Sequence, residues 1–325
     1  MPSIGNPAIG LLPVTQGSQI IPYRTPDEIR EGFETYSEQF DRMLPEGAKL
    51  SRHCTGMAWS EGPVYFSEGD YLLWSDIPND RIVKWSDAEG LTVFRQPAGY
   101  TNGHFRDRQG RLVSCEHGGR RISRTERDGT VVTLVDSYRG KRLNSPNDLV
   151  VKSDDTIWFT DPPYGILSDW EGHKSDSELG ANYVFRFDPA SNELEIVGDD
   201  FDHPNGICFS PDESVMYIAD TGAPGHIRVF DVIDGRRLAN SRVFAEVRPG
   251  VADGFRVDVD GNLFTSAHDG IQVYSPDSEL LGKILVPEER TANCTFGGPG
   301  KSRLYIAADK SLYSIELNTT GAQTP

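Results

Sequence analysis

An all-β fold, a six-bladed β-propeller, is what three features of this 325-residue sequence predict. The first is a recurring unit: a polar start, an apolar strand, a tight turn and a second strand that in most copies ends in an acidic residue. It is clearest where Asn147-Asp-Leu-Val-Val leads through Asp154 and Asp155 to Ile157-Trp-Phe-Thr-Asp161; the second strand ends in a carboxylate in four copies and in alanine in the other two. It returns at Glu61 with Leu72 to Asp76, at Asn102 with Leu112 to Glu116, at Asn205 with Met216 to Asp220, at Asp253 with Leu263 to Ala267, and at Asn293 with Leu304 to Ala308. The second is the spacing, roughly 40 to 60 residues with strand-like rather than helical periodicity, which is the mark of propeller blades. The third is composition: 33 glycines and 21 prolines suit many short strands joined by turns.

Taken in order, residues 1–47 read as a Pro/Gly-rich arm followed by a packing helix. Thr25-Pro-Asp-Glu28 is a helix start, with a capping threonine, proline in the first turn and glutamate three positions on. Ile29, Phe33, Tyr36 and Phe40 follow at helical spacing, and Pro45-Glu-Gly47 ends the segment. Residues 48–318 form one propeller domain, since propellers grow by adding blades. The sixth blade shows only three good strands, so the residues from Lys49 to Cys54 are expected to supply its outer strand and close the ring. Blade three carries the longest insertion, Tyr164 to Asn182, with Trp170, His173 and several carboxylates; it reads as a lid or specificity loop over the channel. Residues 319–325 are expected to be a disordered tail.

A net charge of −17 makes nucleic acid and anionic membranes unsuitable partners. Four cysteines are too few for a disulfide scaffold, and Cys115, Cys208 and Cys294 fall inside strands, where buried thiols are common. The first residues lack the basic patch and apolar run of a signal peptide, and no stretch is long enough to span a bilayer. A cytoplasmic protein is expected, with its oligomeric state left open.

If each polar start opens the innermost strand of its blade, then Glu61, Asn102, Asn147, Asn205, Asp253 and Asn293 converge on one mouth of the channel. Asn-Gly and Asp-Gly pairs are also ordinary turn residues. Glutamate is not, and recurrence at one register around an axis is not a property of turns. Carboxylates from Glu61 and Asp253 with amide oxygens from Asn147 and Asn205 suit a hard divalent cation: calcium first, with magnesium, manganese or zinc as alternatives. The ends of the second strands lie beside the starts of the first. Asp76, Glu116, His117, Asp161, Asp220 and His268 are therefore expected on the same rim, His117 and His268 at equivalent repeat positions. His53, His104, His173 and His226 read as surface or packing residues.

Ser60-Glu-Gly-Pro-Val, Ser145-Pro-Asn-Asp-Leu-Val-Val, His203-Pro-Asn-Gly-Ile, Ala252-Asp-Gly-Phe and the Gly119-Arg-Arg run after His117 carry a family resemblance. Together they resemble the gluconolactonase and senescence-marker-protein (regucalcin)-like family, across all six blades. The resemblance implies a metal-dependent hydrolase that opens sugar lactones, with Glu61, Asn205 and Asp253 as metal ligands and Asn147 ligating metal or substrate. It further implies a water attacking the lactone carbonyl, with Asp253 as general base, or His117 or His268 in its place. Asn102 and Asn147 would bind sugar hydroxyls and Arg121 the acidic product. Two alternatives stay open: an organophosphate or ester hydrolase on the same metal site, and a non-catalytic calcium-binding regulatory propeller.

Overall fold

The computed structural model describes residues 27–29 and 32–323. Six antiparallel sheets are arranged around one axis. Their innermost strands are Ser60–Phe66, Thr101–Arg106, Leu149–Val151, Pro204–Phe209, Phe255–Val257 and Thr291–Gly297, each packed against the next around the ring. Within a blade, the first and second strands are joined by a hairpin that an aspartate organises. The Oδ1 atom of Asp107 accepts from the backbone N–H of Gln109 (3.0 Å) and Arg111 (2.8 Å), and Asp258 does the same for Asp260 (3.0 Å) and Asn262 (2.8 Å). Asp154 and Asp212 take the N–H two residues on. A side-chain acceptor in this place substitutes for a backbone turn bond, which is why aspartate recurs there.

A second aspartate pattern fixes where each chain segment enters its blade. Asp76 accepts from Ala58 N–H (2.8 Å), Asp161 from Asn144 (2.8 Å) and Ser145 (2.9 Å), and Asp220 from Asp202 (2.9 Å) and His203 (2.8 Å). These carboxylates, expected on the channel rim from their strand positions, bind the backbone that precedes the innermost strand. Asp76 is also bound by the Arg81 guanidinium at 2.7 Å.

The ring closes as the missing sixth-blade strand requires. Leu50–Thr55 pairs antiparallel with Ser311–Glu316, with Leu312 opposite Cys54 and Tyr313 opposite Arg52. Joining the two ends of the chain in one sheet leaves no open seam between the first and last blades.

The helix expected from Thr25 is shorter and later. Thr25 and Pro26 lie outside the described residues. Asp27–Ile29 is a strand on Leu50–Thr55, and Phe33–Thr35 is a strand on the outer edge of blade five, with Phe33 opposite Ile284. Among the described residues of this segment only Glu38–Met43 is helical, capped by Ser37, whose hydroxyl accepts from Phe40 N–H at 3.2 Å. An open sheet edge offers this segment backbone partners that a solvent-exposed helix turn does not, and this overrides the local capping signal. Phe40 is fully buried and packs directly over Gly282, where a Cβ would stand 2.3 Å from its ring.

The tail also differs from expectation over 319–323. Gly321 bridges to Asp258, Val259 N–H donates to Thr320 O (2.9 Å), Ala322 N–H to Val257 O (3.1 Å), and Thr319 Oγ1 to Asp258 Oδ2 (2.9 Å). The segment finds unpaired backbone at the end of blade five and is held there. Cys115, Cys208 and Cys294 are buried free thiols. Among the described residues no helix is long and apolar enough to cross a membrane.

Candidate functional site at the channel mouth

The six polar residues that open the innermost strands are brought to one end of the channel by a repeated local device. In four blades the pairing of first and second strands slips at this point: between Glu61 and Val64, Thr101 and His104, Pro204 and Ile207, and Thr291 and Asn293. Such bulges re-aim a side chain relative to the regular alternation. The glycines that follow have a separate reason. A Cβ on Gly62 would lie 2.1 Å from the Asn102 carbonyl oxygen, one on Gly206 2.1 Å from that of Asp253, and one on Gly254 2.0 Å from the Asn293 side chain. The Glu-Gly, Asn-Gly and Asp-Gly pairs therefore mark close approach of neighbouring inner strands, and the polar residue before each glycine lines the axis.

Glu61, Asn102, Asn147, Asn205 and Asn293 are buried, and Asp253 is half-buried. Glu61 Oε2 accepts from Asn293 Nδ2 (3.1 Å) and from Gly62 N–H (2.5 Å). Asn205 lies beside the Asp253 carboxylate and the Tyr164 hydroxyl, which hydrogen-bonds Thr221. Burial, then the charges of Asp253 and Asp148, push the Glu61 carboxyl well above its ordinary range. Burial, then Asp148 and Glu171, push Asp253 up to about 8. Among the described residues neither Glu61 nor Asp253 has a lysine or arginine within ion-pair distance; Asp253 feels only the more distant charge of Arg290. Two unpaired, mutually repelling carboxylates in an amide-lined mouth lack a positive partner, and this is the fit expected of a divalent cation held by oxygen ligands. Among the described residues no three His, Cys, Asp or Glu side chains form a metal-binding group, so a cation here would need asparagine amides to complete its shell.

His117 is fully buried, and both ring nitrogens are engaged. Nδ1 donates to the Glu171 carbonyl oxygen (3.2 Å), so Nε2 is left to accept from Asn102 Nδ2 (3.3 Å). Burial lowers its pKa to about 4, so the ring is neutral near pH 7. That arrangement makes it a poor proton carrier and a good support. It turns the amide of Asn102 so that Oδ1, buried and without a partner, is the free acceptor.

The blade-three insertion packs over this support. It begins with a short helix, Tyr164–Leu167, and folds back so that His173 N–H donates to Gly165 O (3.0 Å) and Ser175 N–H to Ile166 O (3.0 Å). Gly165 lies against His117, where a Cβ would come within 2.5 Å. Two residues of this loop reach the mouth that spacing in the sequence did not single out. Tyr164 joins Asn205, and Glu171, a quarter exposed, is pushed up to about 7 by burial and faces Asp253 electrostatically. Their only signal was membership of a long insertion after a second strand.

Two sequence-predicted residues stand apart. The Arg121 guanidinium is bound by Glu116 through Nε (2.7 Å) and Nη2 (3.0 Å) and by Thr133 (2.7 Å), in an outer groove of blade two rather than at the ring. The strand ladder pairs Arg121 with Glu116, which commits its charge locally. His268 is half-buried over Gly250 and interacts electrostatically with Arg290 and Asp269, not with the Glu61 and Asp253 carboxylates. His53 and His104 are packing residues: His53 bonds Ser314 at 2.7 Å, and His104 bonds Ser75 and Ser114, both at 2.8 Å.

Comparison with known proteins places this chain in a family. The model described as "SMP-30/Gluconolactonase/LRE-like region" matches residues 59–310. A gluconolactonase of Zymomonas mobilis is 33% identical over 314 residues, 88% of this chain and 86% of that protein. A solved structure of a gluconolactonase from Xanthomonas campestris superposes with a TM-score of 0.85 at 38% identity, covering 91% of this chain and 97% of that one. A pentonolactonase of Haloferax volcanii is 25% identical over 262 residues, 78% of this chain and 82% of that protein.

Proposed function

The chain belongs to the SMP-30/gluconolactonase/LRE-like family, and from that premise we propose that it hydrolyses sugar lactones at the channel mouth. The observation that carries the reading is the pair of carboxylates, Glu61 buried and Asp253 half-buried, without a basic partner among the described residues and beside a row of asparagine amides. Glu61, Asn205 and Asp253, with Asn147 beside them, would hold a divalent cation, calcium before magnesium, manganese or zinc. When bound, the cation polarises the lactone carbonyl and offsets the charge that develops on its oxygen.

The chain's own residues supply the rest. Asp253 is the general base: it is a carboxylate at the mouth beside the cation it would help to hold, placed to accept a proton from the attacking water. Asn102, oriented by His117, accepts a hydrogen bond from a sugar hydroxyl through Oδ1. Tyr164 and Glu171 cover the mouth from the loop above and set which ring substituents fit. A neutral polyol ring meets hydrogen-bonding groups all round and needs no cationic pocket, in keeping with Arg121 being committed elsewhere.

The test is a panel of aldonolactones, acyl lactones and phosphotriesters, each assayed with added calcium and with a chelator. Turnover of aldonolactones that is lost with chelator and restored by the cation is the expected result. Preference for phosphotriesters would replace the substrate class, and no turnover of any member would leave a binding propeller.

A further inference from the structure

The far end of the channel has the opposite chemistry. Arg256, on the innermost strand of blade five, is buried below the ring, its Nη1 donating to Phe255 O (2.7 Å) and Asp148 Oδ2 (3.4 Å). A cavity of about 40 Å³ is lined there by His104, Arg106, Arg256, Thr295, Lys301 and Gln323 among others. The C-terminal segment forms one side of it: Gly321 N–H donates to Lys301 O (3.0 Å), and the Lys301 ammonium donates to Gln323 O. Two guanidiniums and an ammonium line this space and no Asp or Glu does. Arg106 has one carboxylate partner, Glu68 at 2.5 Å, and Arg256 has Asp148. Lys301 has none among the described residues. Burial, then the charges of Arg106 and Arg108, hold its pKa below the ordinary lysine value.

Hydrogen bonding points the same way. Arg106 Nε, Arg256 Nη2 and Gln323 Nε2 are buried N–H groups without an acceptor. His104 offers them none, since its nitrogens are taken by Ser75 and Ser114. Unmet donors destabilise a fold unless something accepts from them. Water would leave the charge; an anion would offset it and give the side chains lining the chamber an acceptor. The cavity has room for about three water-sized groups, which excludes a sugar acid and admits a small oxyanion.

We propose that this chamber binds a small inorganic oxyanion of phosphate size, held by Arg106, Arg256, Lys301 and Gln323. It is separate from the catalytic mouth, and its occupant ties the C-terminal segment to the propeller through Lys301 and Gln323.

The experiment is calorimetric titration of the chelator-treated full chain with sodium phosphate, ionic strength being held with a bulky sulfonate salt. One saturable site per chain is expected, with a Tm that rises with phosphate concentration. Lys301→Met, which keeps the stem and removes the charge, should weaken binding at least about tenfold. Arg106→Gln should act in the same direction, and circular dichroism confirms that each variant is folded. Asp253→Asn should bind phosphate as the wild type does, so this site stands or falls independently of the lactonase reading. No saturable heat and no rise in Tm up to about 50 mM phosphate would mean that the chamber holds water alone and would overturn the proposal. Binding that survives Lys301→Met and Arg106→Gln but is lost in Asp253→Asn would place the anion at the other mouth and overturn it equally.

Discussion

The two ends of the channel are made from the same six strands and have opposite character. At the starts of those strands lie Glu61, Asp253 and, one layer below, Asp148; burial raises the proton affinity of all three, the charge of Asp148 raises it further at Glu61 and Asp253, and that of Asp253 does so at Glu61. Towards their ends Arg106 and Arg256 gather with Lys301. Between the two layers the opposite charges meet at the Arg256–Asp148 contact, 3.4 Å. The covers differ as well: a 19-residue insertion, Tyr164 to Asn182, lies over the acidic end, and residues 319–323 lie over the basic one. Rotational repetition thus sets where a side chain goes, while one or two substitutions per blade decide what that position does.

The largest effect expected from breaking this contrast is at the acidic end. Asp253→Asn keeps size and an oxygen ligand and removes the base. At saturating calcium kcat for an aldonolactone should fall on the order of 10²- to 10⁴-fold. Near-normal turnover would take Asp253 out of the chemistry. Glu61→Gln should lower affinity for calcium by roughly 100-fold, since an amide replaces a charged ligand. Calorimetry with calcium alone measures this without reference to activity.

Both ends share a reliance on neutral histidines, and this gives a pH test. Burial lowers His53 and His117 to about 4 and His104 to about 3, below the ordinary 6.5. A base whose folded pKa is depressed contributes stability that is complete above the unfolded value. That stability is lost as pH falls from 6.5 towards 4, because only the unfolded chain then takes up the proton. Each histidine should account for roughly 3 kcal/mol over that window. Denaturant midpoints measured from pH 7 to 4 should fall accordingly, and a flat profile would show that these rings are charged in the fold. His117→Phe should flatten one share of it.

Smaller effects sharpen the comparison further. Asn102→Leu removes the free acceptor at the mouth and should raise KM about tenfold with kcat changed less, the cost of one hydrogen bond to a neutral hydroxyl. Arg121→Ala should leave kcat/KM unchanged, because that guanidinium serves Glu116 and Thr133. A loss of activity in Arg121→Ala would return it to the site.

Much of this was legible in the sequence because propeller blades are local. A hairpin's strands, turn and polar start lie within a few dozen residues, so the period revealed six blades, and the shortfall in the last revealed that Leu50–Thr55 must close the ring. The convergence of Glu61, Asn102, Asn147, Asn205, Asp253 and Asn293 followed from register alone. What the sequence did not determine were contacts set by neighbours distant in the chain. Phe33–Thr35 became strand because blade five left an edge open to it. Asp76, Asp161 and Asp220 turned to entering backbone, and Arg121 to its ladder partner. The lid residues Tyr164 and Glu171 reached the mouth through the loop's own folding. The cationic chamber exists only once the C-terminal segment lies beside Arg106 and Arg256, more than 60 residues away in sequence, because only packing brings donors on separate blades around one space.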